Sequence, residues 1–293
     1  MSQLKIKFVY ALKWAFLFLM QEVQKHSKHT VDIIHHSKFS FEDAMKYDVI
    51  FCANNQTWGF MVKRVGKDKM GELVKKRSCI CSAASKKNSR TALKLLNRVN
   101  FRYVRVPSSV IKEYLEVRGC QREIRIAEQG INIDFFKPLN IDREGFTIGW
   151  AGKYKRREKR THILNQLGYP LKIASGSLPR SKMADFYNSV NAYVHVSSTE
   201  GAPTTVLEAM ACGLPVISTR VGLVPRLIEE EWITPVNPEE KVVELTKKKL
   251  SILENDIDLR RKVGQRNLME IHRNWTSEII TKKWDKLFED SVR

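Results

Sequence analysis

Glu200 and Glu208, with seven residues between them, lie in the stretch Ser197–Gly222, SSTEGAPTTVLEAMACGLPVISTRVG. A strand-like AYVHVSS leads into it, Gly201 turns the chain, and a helix reads from Pro203 as PTTVLEAMACG. Proline suits a first helical position because its missing N–H needs no partner there. The N–H groups of Thr204, Thr205 and Val206 then sit at the open helix end, backed by the helix dipole. That is a phosphate site in its own right. Glu208 lies about one turn further in, where a carboxylate can accept both hydroxyls of a ribose, as acidic residues do in dinucleotide folds. Glu200, on the loop, is closer to whatever the phosphates carry, and a sugar offers the hydroxyl donors to match it. A basic run, KYKRREKR (Lys153–Arg160), follows a strand FTIGWAG that ends at Gly152. That position favours a phosphate role for Lys153 and Lys159, with the other basic residues of the run expected at the surface.

The elements that must position these residues alternate strand and helix. LKIKFVY, TVDIIHH, YDVIFCA, SCICSA and EIRIAE read as strands in the first part of the chain. KWAFLFLMQEVQKH, a basic stretch FMVKRVGKDKMGELVKK and VIKEYLEVRG read as helices between them. After QGINIDFFKP and LNIDREG, where Pro138, Asn140, Asp142 and Gly145 predict a domain connection, the pattern repeats. FTIGWAG, LKIASGS, AYVHVSS and LPVISTRVG are strands, and THILNQLG, RSKMADFYNSV and PTTVLEAMACG are helices between them. Such alternation predicts parallel sheets covered by helices, with ligands beyond the carboxyl ends of the strands. The expected domains are 1–138, basic and compact, and 139–270, with a closing helix over 271–293 packing back toward the first.

The 293 residues, 43% of them hydrophobic, suffice for two cores. The formal charge is +19 and is uneven. Residues 1–138 hold 26 Lys and Arg against 12 Asp and Glu, and residues 51–105 hold 14 against 2. This predicts either an anion-binding surface or a solvated basic face. Five cysteines do not make a disulfide framework, and Cys79 and Cys81 read as buried thiols facing one side of a strand. No apolar run reaches the ~20 residues of a membrane span. The nearest, Phe8–Met20, is interrupted by Lys13 and reads as a strand end and a core helix, or as a short membrane-dipping segment.

The segment EGAPTTVLEAMACGLPVISTRVG resembles the Glu-x7-Glu signature of retaining GT-B fold glycosyltransferases, the family 4-like "glycosyl transferases group 1". That large family includes glycogen and sucrose synthases and lipid mannosyltransferases. GWAGKYKRREK is similar to its glycine–basic segment, where an Arg and a Lys hold the diphosphate. Here Lys153 stands at the arginine position, a point charge in place of a bidentate fork. EQGINIDFFKP resembles the interdomain turn, and NWTSEIITKKWDKLFE the terminal helix. The resemblance is weak before Val104. The glycines expected after the first strand and the histidine expected near the transferred sugar are missing, and CICSAAS stands where that histidine would be. His35, His36, Asn54 and Asn55 end strands and are the remaining candidates there.

The resemblance implies an α/β, GT-B fold: two Rossmann-like domains with parallel sheets facing a central cleft. It implies transfer of a sugar from a UDP- or GDP-sugar with retention, without a metal. The catalytic set would be Glu200, Lys153 and Lys159. The nucleotide-binding set would be Gly152, Gly201, Thr204, Thr205, Val206 and Glu208. Asp256–Asp258 (DID) matches a metal signature of a different transferase fold but reads better as a helix cap. The expected setting is cytoplasmic, with peripheral contact between the basic first domain and an anionic membrane bearing a lipid-linked acceptor. Nucleic acid is the lesser candidate. The alternative is a catalytically inactive protein of this fold that binds a nucleotide or an anionic surface.

Overall fold

The computed structural model describes residues 2–11, 15–83, 89–139, 141, 145–176 and 178–293. Lys13, Ala84, Ser85, Asn140, Asp142 and Ser177, which entered the sequence expectations, lie outside them. In chain order the elements are β1 (Lys5–Tyr10), α1 (Ala15–His26), β2 (Thr30–His35), α2 (Phe41–Ala44), β3 (Val49–Cys52), α3 (Asn55–Val65), α4 (Lys67–Lys76), β4 (Ser78–Ser82), α5 (Ser89–Arg98), β5 (Tyr103–Val106), α6 (Ser109–Val117) and β6 (Ile124–Ile126). There follow β7 (Ile148–Ala151), α7 (Thr161–Leu164), β8 (Leu171–Ala174), α8 (Met183–Asn188), β9 (Ala192–His195), α9 (Thr204–Ala211), β10 (Val216–Thr219), α10 (Val224–Leu227), β11 (Ile233–Thr234), α11 (Glu239–Asn255), α12 (Ile257–Glu270) and α13 (Ser277–Ser291).

The chain divides into two units, Met1–Gly130 with Ser277–Arg293, and Ile131–Thr276. Each is a Rossmann-like parallel sheet with helices on its faces. The first sheet has the order β2-β1-β3-β4-β5-β6 and the second β11-β10-β9-β7-β8. Every described strand pairing is parallel. Strands β3, β7, β9 and β10 are buried at every residue, as a sheet covered on both faces requires.

In the first unit, one face of the sheet packs Phe8 and Phe51 against Phe16 of α1 and Trp284 and Phe288 of α13. The indole N–H of Trp284 donates to the Glu128 carbonyl at 2.8 Å, and the Tyr103 hydroxyl donates to the Asp290 carbonyl at 2.9 Å. The closing helix is therefore part of the first unit's core. Strand β5 has no counterpart among the sequence expectations because Arg105 interrupts its apolar pattern. That guanidinium is buried between Phe16 and Trp284, donating from Nε to the Ala127 carbonyl at 2.7 Å. Burial lowers its pKa to about 9. The long basic helix expected over Phe60–Lys76 is two helices. Gly66, at φ 92°, ends α3 and starts α4.

The divide falls after Gly130, not after Pro138. The Ile131 N–H donates to the Trp275 carbonyl at 2.9 Å, and Phe136 is buried against Tyr187 of α8. Asn188 then accepts from the Leu139 N–H at 2.7 Å and donates to the carbonyls of Lys137 and Ala184, each at 2.9 Å. The stretch that reads as a linker is thus pinned to the second unit by one fully buried amide. Asn188→Ala removes three hydrogen bonds, each worth about 0.5–1.5 kcal/mol. Urea unfolding of the variant is expected to show a lower midpoint at unchanged slope.

Candidate functional site

Strand β9 ends at His195, and the loop after it carries Glu200 before α9 begins at Thr204. The Thr219 hydroxyl, at the end of neighbouring β10, donates to the Ser197 carbonyl at 2.6 Å and fixes the root of this loop. The Ser198 N–H donates to the Glu158 carbonyl at 2.8 Å, which joins the loop to the Arg157–Lys159 turn beyond β7. Gly222 lets the far end close. Its φ is 53°, and a Cβ there would lie 2.5 Å from the Gly201 carbonyl oxygen. At Gly152 a Cβ would lie 3.1 Å from the Trp150 ring and 3.7 Å from Lys159 Cε, so glycine leaves room for the lysine stem.

This framework places Lys159 Nζ 2.6 Å from Glu200 Oε1, with both side chains more than four-fifths buried. His195 Nε2 lies 3.5 Å from the same oxygen. Burial alone would raise the Glu200 pKa, but His195 and Lys159 outweigh it and push the carboxyl down to about 2. Burial lowers the His195 pKa against the pull of Glu200. The Ser218 hydroxyl spends its proton on the Thr219 carbonyl at 3.0 Å, and His195 Nδ1 lies 3.2 Å from that oxygen. Nε2 lies 3.2 Å from the Ser197 hydroxyl, so each ring nitrogen faces a serine oxygen and Nε2 faces Glu200 as well.

Glu208 belongs to a second cluster. Its Oε2 accepts from the Tyr187 hydroxyl at 2.7 Å and its Oε1 from Arg180 Nη1 at 3.1 Å. Burial raises its pKa, and Arg180 and Tyr187 oppose that rise. The Arg180 guanidinium also lies over the rings of Phe136 and Phe135. Tyr193 stands between the clusters on β9, its hydroxyl 3.3 Å from the Ala151 backbone. Burial raises its pKa, and the charges of Glu208 and Glu200 add to the rise.

Several expectations need correction. Lys159, expected at a diphosphate, is paired with Glu200 in this structure. Pro203 is the residue before α9, not its first helical residue, and the Val206 N–H donates to the Pro203 carbonyl at 3.0 Å. Val206 is therefore removed from the open donors, while Thr204 and Thr205 occupy the first turn. Both oxygens of Glu208 are already engaged by protein groups. Arg160 is buried, not a surface residue. It donates to the Val236 carbonyl at 2.7 Å and pairs with Glu239, and so clamps the start of α11. Lys153 is exposed at the end of β7, and partial burial with the nearby charge of Arg156 lowers its pKa. His195, Arg180 and Tyr187 were missed. For His195 the signal was present, since a histidine two residues before a predicted loop shares a strand face with Tyr193.

The candidates in the first unit have structural partners. Asn54 caps α3, accepting from the Thr57 N–H at 2.8 Å. His35 Nε2 lies 3.1 Å from the Ala11 carbonyl, and the His36 ring stacks on Phe60. Asp256 caps α12 through the Leu259 N–H at 2.8 Å. Among the described residues no group of three His, Cys, Asp or Glu side chains is arranged to hold a metal ion, and no helix is long and apolar enough to cross a membrane.

Two Rossmann-like units, the second with paired carboxylate clusters at the carboxyl end of β9, define the GT-B class. Residues 148–268 match the family "Glycosyl transferases group 1", so the resemblance read from the Glu-x7-Glu stretch is borne out. The chain is similar to a phosphatidylinositol N-acetylglucosaminyltransferase component of Arabidopsis thaliana, 32% identical over 27% of this chain and 18% of that protein. It is also similar to the N-acetyl-alpha-D-glucosaminyl L-malate synthase of Bacillus anthracis, 29% identical over 33% of this chain and 26% of that protein. The matched stretches thus span about a quarter or less of these relatives' length. In fold the chain is similar to Anabaena HepE in complex with UDP and glucose, with TM-score 0.78 at 13% identity over 98% of this chain and 100% of that one. It is likewise similar to the sucrose-phosphate synthase of Thermosynechococcus elongatus, with TM-score 0.73 at 15% identity over 99% of both chains.

The folded-state pKa of Glu200 lies below the 4.5 of a free carboxyl. Its contribution to stability is therefore complete above about pH 4.5 and is lost as pH falls toward 2. Thermal unfolding between pH 5 and pH 3 is expected to show a steeper fall in Tm for the wild type than for Glu200→Gln. Equal slopes would mean that the Lys159–Glu200 pair does not hold in solution.

Proposed function

We propose that this chain transfers a sugar from a nucleoside diphosphate to an acceptor hydroxyl, with retention of configuration and without a metal. The observation that carries the reading is the Lys159–Glu200 pair at the loop after β9, beside the Arg180–Glu208 cluster. A buried carboxylate held ionised by an exchangeable lysine suits a donor whose diphosphate attracts that lysine. Lys159 would move to the diphosphate, joined by Lys153 and the first turn of α9 at Thr204 and Thr205. Glu200 would then accept hydrogen bonds from the sugar hydroxyls, and Glu208 from the ribose as Arg180 gives way. The anomeric carbon–oxygen bond breaks toward the diphosphate, whose charge the lysines stabilise. A phosphate oxygen takes the acceptor's proton as the acceptor oxygen bonds the anomeric carbon on the same face. UDP is the first donor class to test, because the HepE structure is described in complex with UDP and glucose.

A thermal-shift screen with UDP, GDP, ADP and their sugar conjugates tests the donor site on the wild type, Glu208→Gln and Glu208→Ala. A ligand at about 100 times its Kd adds about 2.7 kcal/mol. One nucleotide is expected to stabilise the wild type and to lose most of that effect in the variants. Donor turnover in the presence of a chelator then separates a transferase from an inactive nucleotide-binding protein. No stabilisation by any nucleotide would remove the reading.

The acceptor is proposed to be lipid-linked, met by the first unit at the cytoplasmic face of a membrane. In that unit α3 and α4 carry exposed Lys63, Arg64, Lys67, Lys75 and Lys76, with Phe60 exposed beside them. The relative in Arabidopsis thaliana, whose name specifies a phosphatidylinositol substrate, supports a lipid acceptor. Liposome sedimentation at low salt is expected to show binding to anionic vesicles that salt reverses. Equal binding to neutral vesicles would sink this acceptor model.

A further inference from the structure

An open pocket of about 280 Å³ lies at the amino ends of β4, β5 and β6 in the first unit. Arg77, Arg102 and Arg122 line it, together with Ser78, Asn100 and Gln121. None of the three arginines is paired with a carboxylate among the described residues, and the one acidic residue in the lining, Glu123, is tied to Arg125. Two of the guanidinium groups are held in place by backbone and amide oxygens. Arg77 donates from Nε and Nη2 to the Met45 carbonyl and from Nη1 to the Lys76 carbonyl. Arg122 donates from Nη1 to Asn100 Oδ1 at 2.6 Å and from Nη2 to the Asn97 carbonyl at 3.1 Å. These bonds leave Arg122 Nε buried with no hydrogen-bond partner, and the Ser78 hydroxyl is buried and unpartnered as well. Arg102 is exposed, and its side chain makes no hydrogen bond among the described residues.

We propose that this cavity is a second anion site that takes a phosphomonoester group. Three like charges converging on one pocket repel each other, and a dianion relieves that repulsion where a neutral sugar cannot. Arg77 and Arg122 spend their paired N–H edges on the protein and supply fixed positive charge, and the guanidinium of Arg102 supplies the donor edge. The exposed Arg102 closes over the group. The site is built on the amino ends of the first unit's strands, and the donor cluster stands at the carboxyl end of β9 in the second unit. The two sites are therefore made of different residues on different units. Both a soluble phosphomonoester and a lipid phosphate headgroup present this chemistry.

Calorimetric titration of the full chain with inorganic phosphate, at ionic strength held constant with chloride, reads the site. A Lys153→Ala background weakens phosphate uptake at the donor cluster. One saturable site is expected to persist in that background. Arg102→Gln is expected to weaken it about ten- to a hundred-fold, the range for one charge-assisted hydrogen bond, and Arg102→Glu to abolish it. Arg102 is exposed and its guanidinium contacts only the Tyr103 ring among the described residues, so its variants are expected to fold even where Arg122→Gln does not, which circular dichroism checks. Unchanged affinity in Arg102→Glu, or no saturable binding at all, would overturn the site. Glycerol 3-phosphate in solution and vesicles containing phosphatidic acid then distinguish the source. Vesicle binding lost in Arg102→Glu assigns a headgroup, and soluble binding alone assigns a free monoester.

Discussion

Strand β9 is buried on both faces and paired on both edges, with β10 on one side and β7 on the other. It has no freedom to shift register, because a slip would turn Tyr193 and His195 to the opposite face. Everything that gives the second unit its chemistry hangs from this strand's carboxyl end. Glu200 can sit more than four-fifths out of water only because β7, next to β9, leads into the turn that brings Lys159 beside it. Removing either partner would leave the other charge buried and uncompensated. The loop between them is in turn closed by Gly222 against Gly201, where no side chain fits.

Two carboxylates on one loop and helix have opposite environments. Glu200 is surrounded by a lysine and a histidine and is held strongly ionised. Glu208 is deeper, shares its oxygens between a phenol and a half-buried guanidinium, and has its pKa raised. In the proposed transfer this divergence assigns them different partners. The ionised one meets the sugar hydroxyls. The deeper one exchanges Arg180 for ribose hydroxyls. Both carboxylates are engaged by protein groups in this structure.

The first unit follows another logic. Its sheet is of the same kind, but its charges are arranged around structure: Arg105 within an aromatic face, Lys7 with Asp43, Asn54 on a helix start. The exceptions are the exposed lysines of α3 and α4 and the arginine-lined cavity at the amino ends of β4–β6. The cavity arginines have no carboxylate partner among the described residues, whereas Lys69 and Lys76 of α4 pair with Glu42 and Glu72.

Strand–helix alternation, the placement of the Glu-x7-Glu loop and the capping role of Asp256 were determined by the sequence alone. They depend on short-range periodicity and on residues close in the chain. Strand β5 was hidden because Arg105 looks polar in one dimension, whereas in space it is enclosed by Phe16 and Trp284. The domain boundary was hidden because Asn188, some fifty residues away, claims the backbone around Pro138. The pairing of Lys159 with Glu200, and of Arg180 with Glu208, was decided only by tertiary structure. Each joins residues about thirty to forty apart, brought together by neighbouring parallel strands and a helix whose order no local pattern encodes.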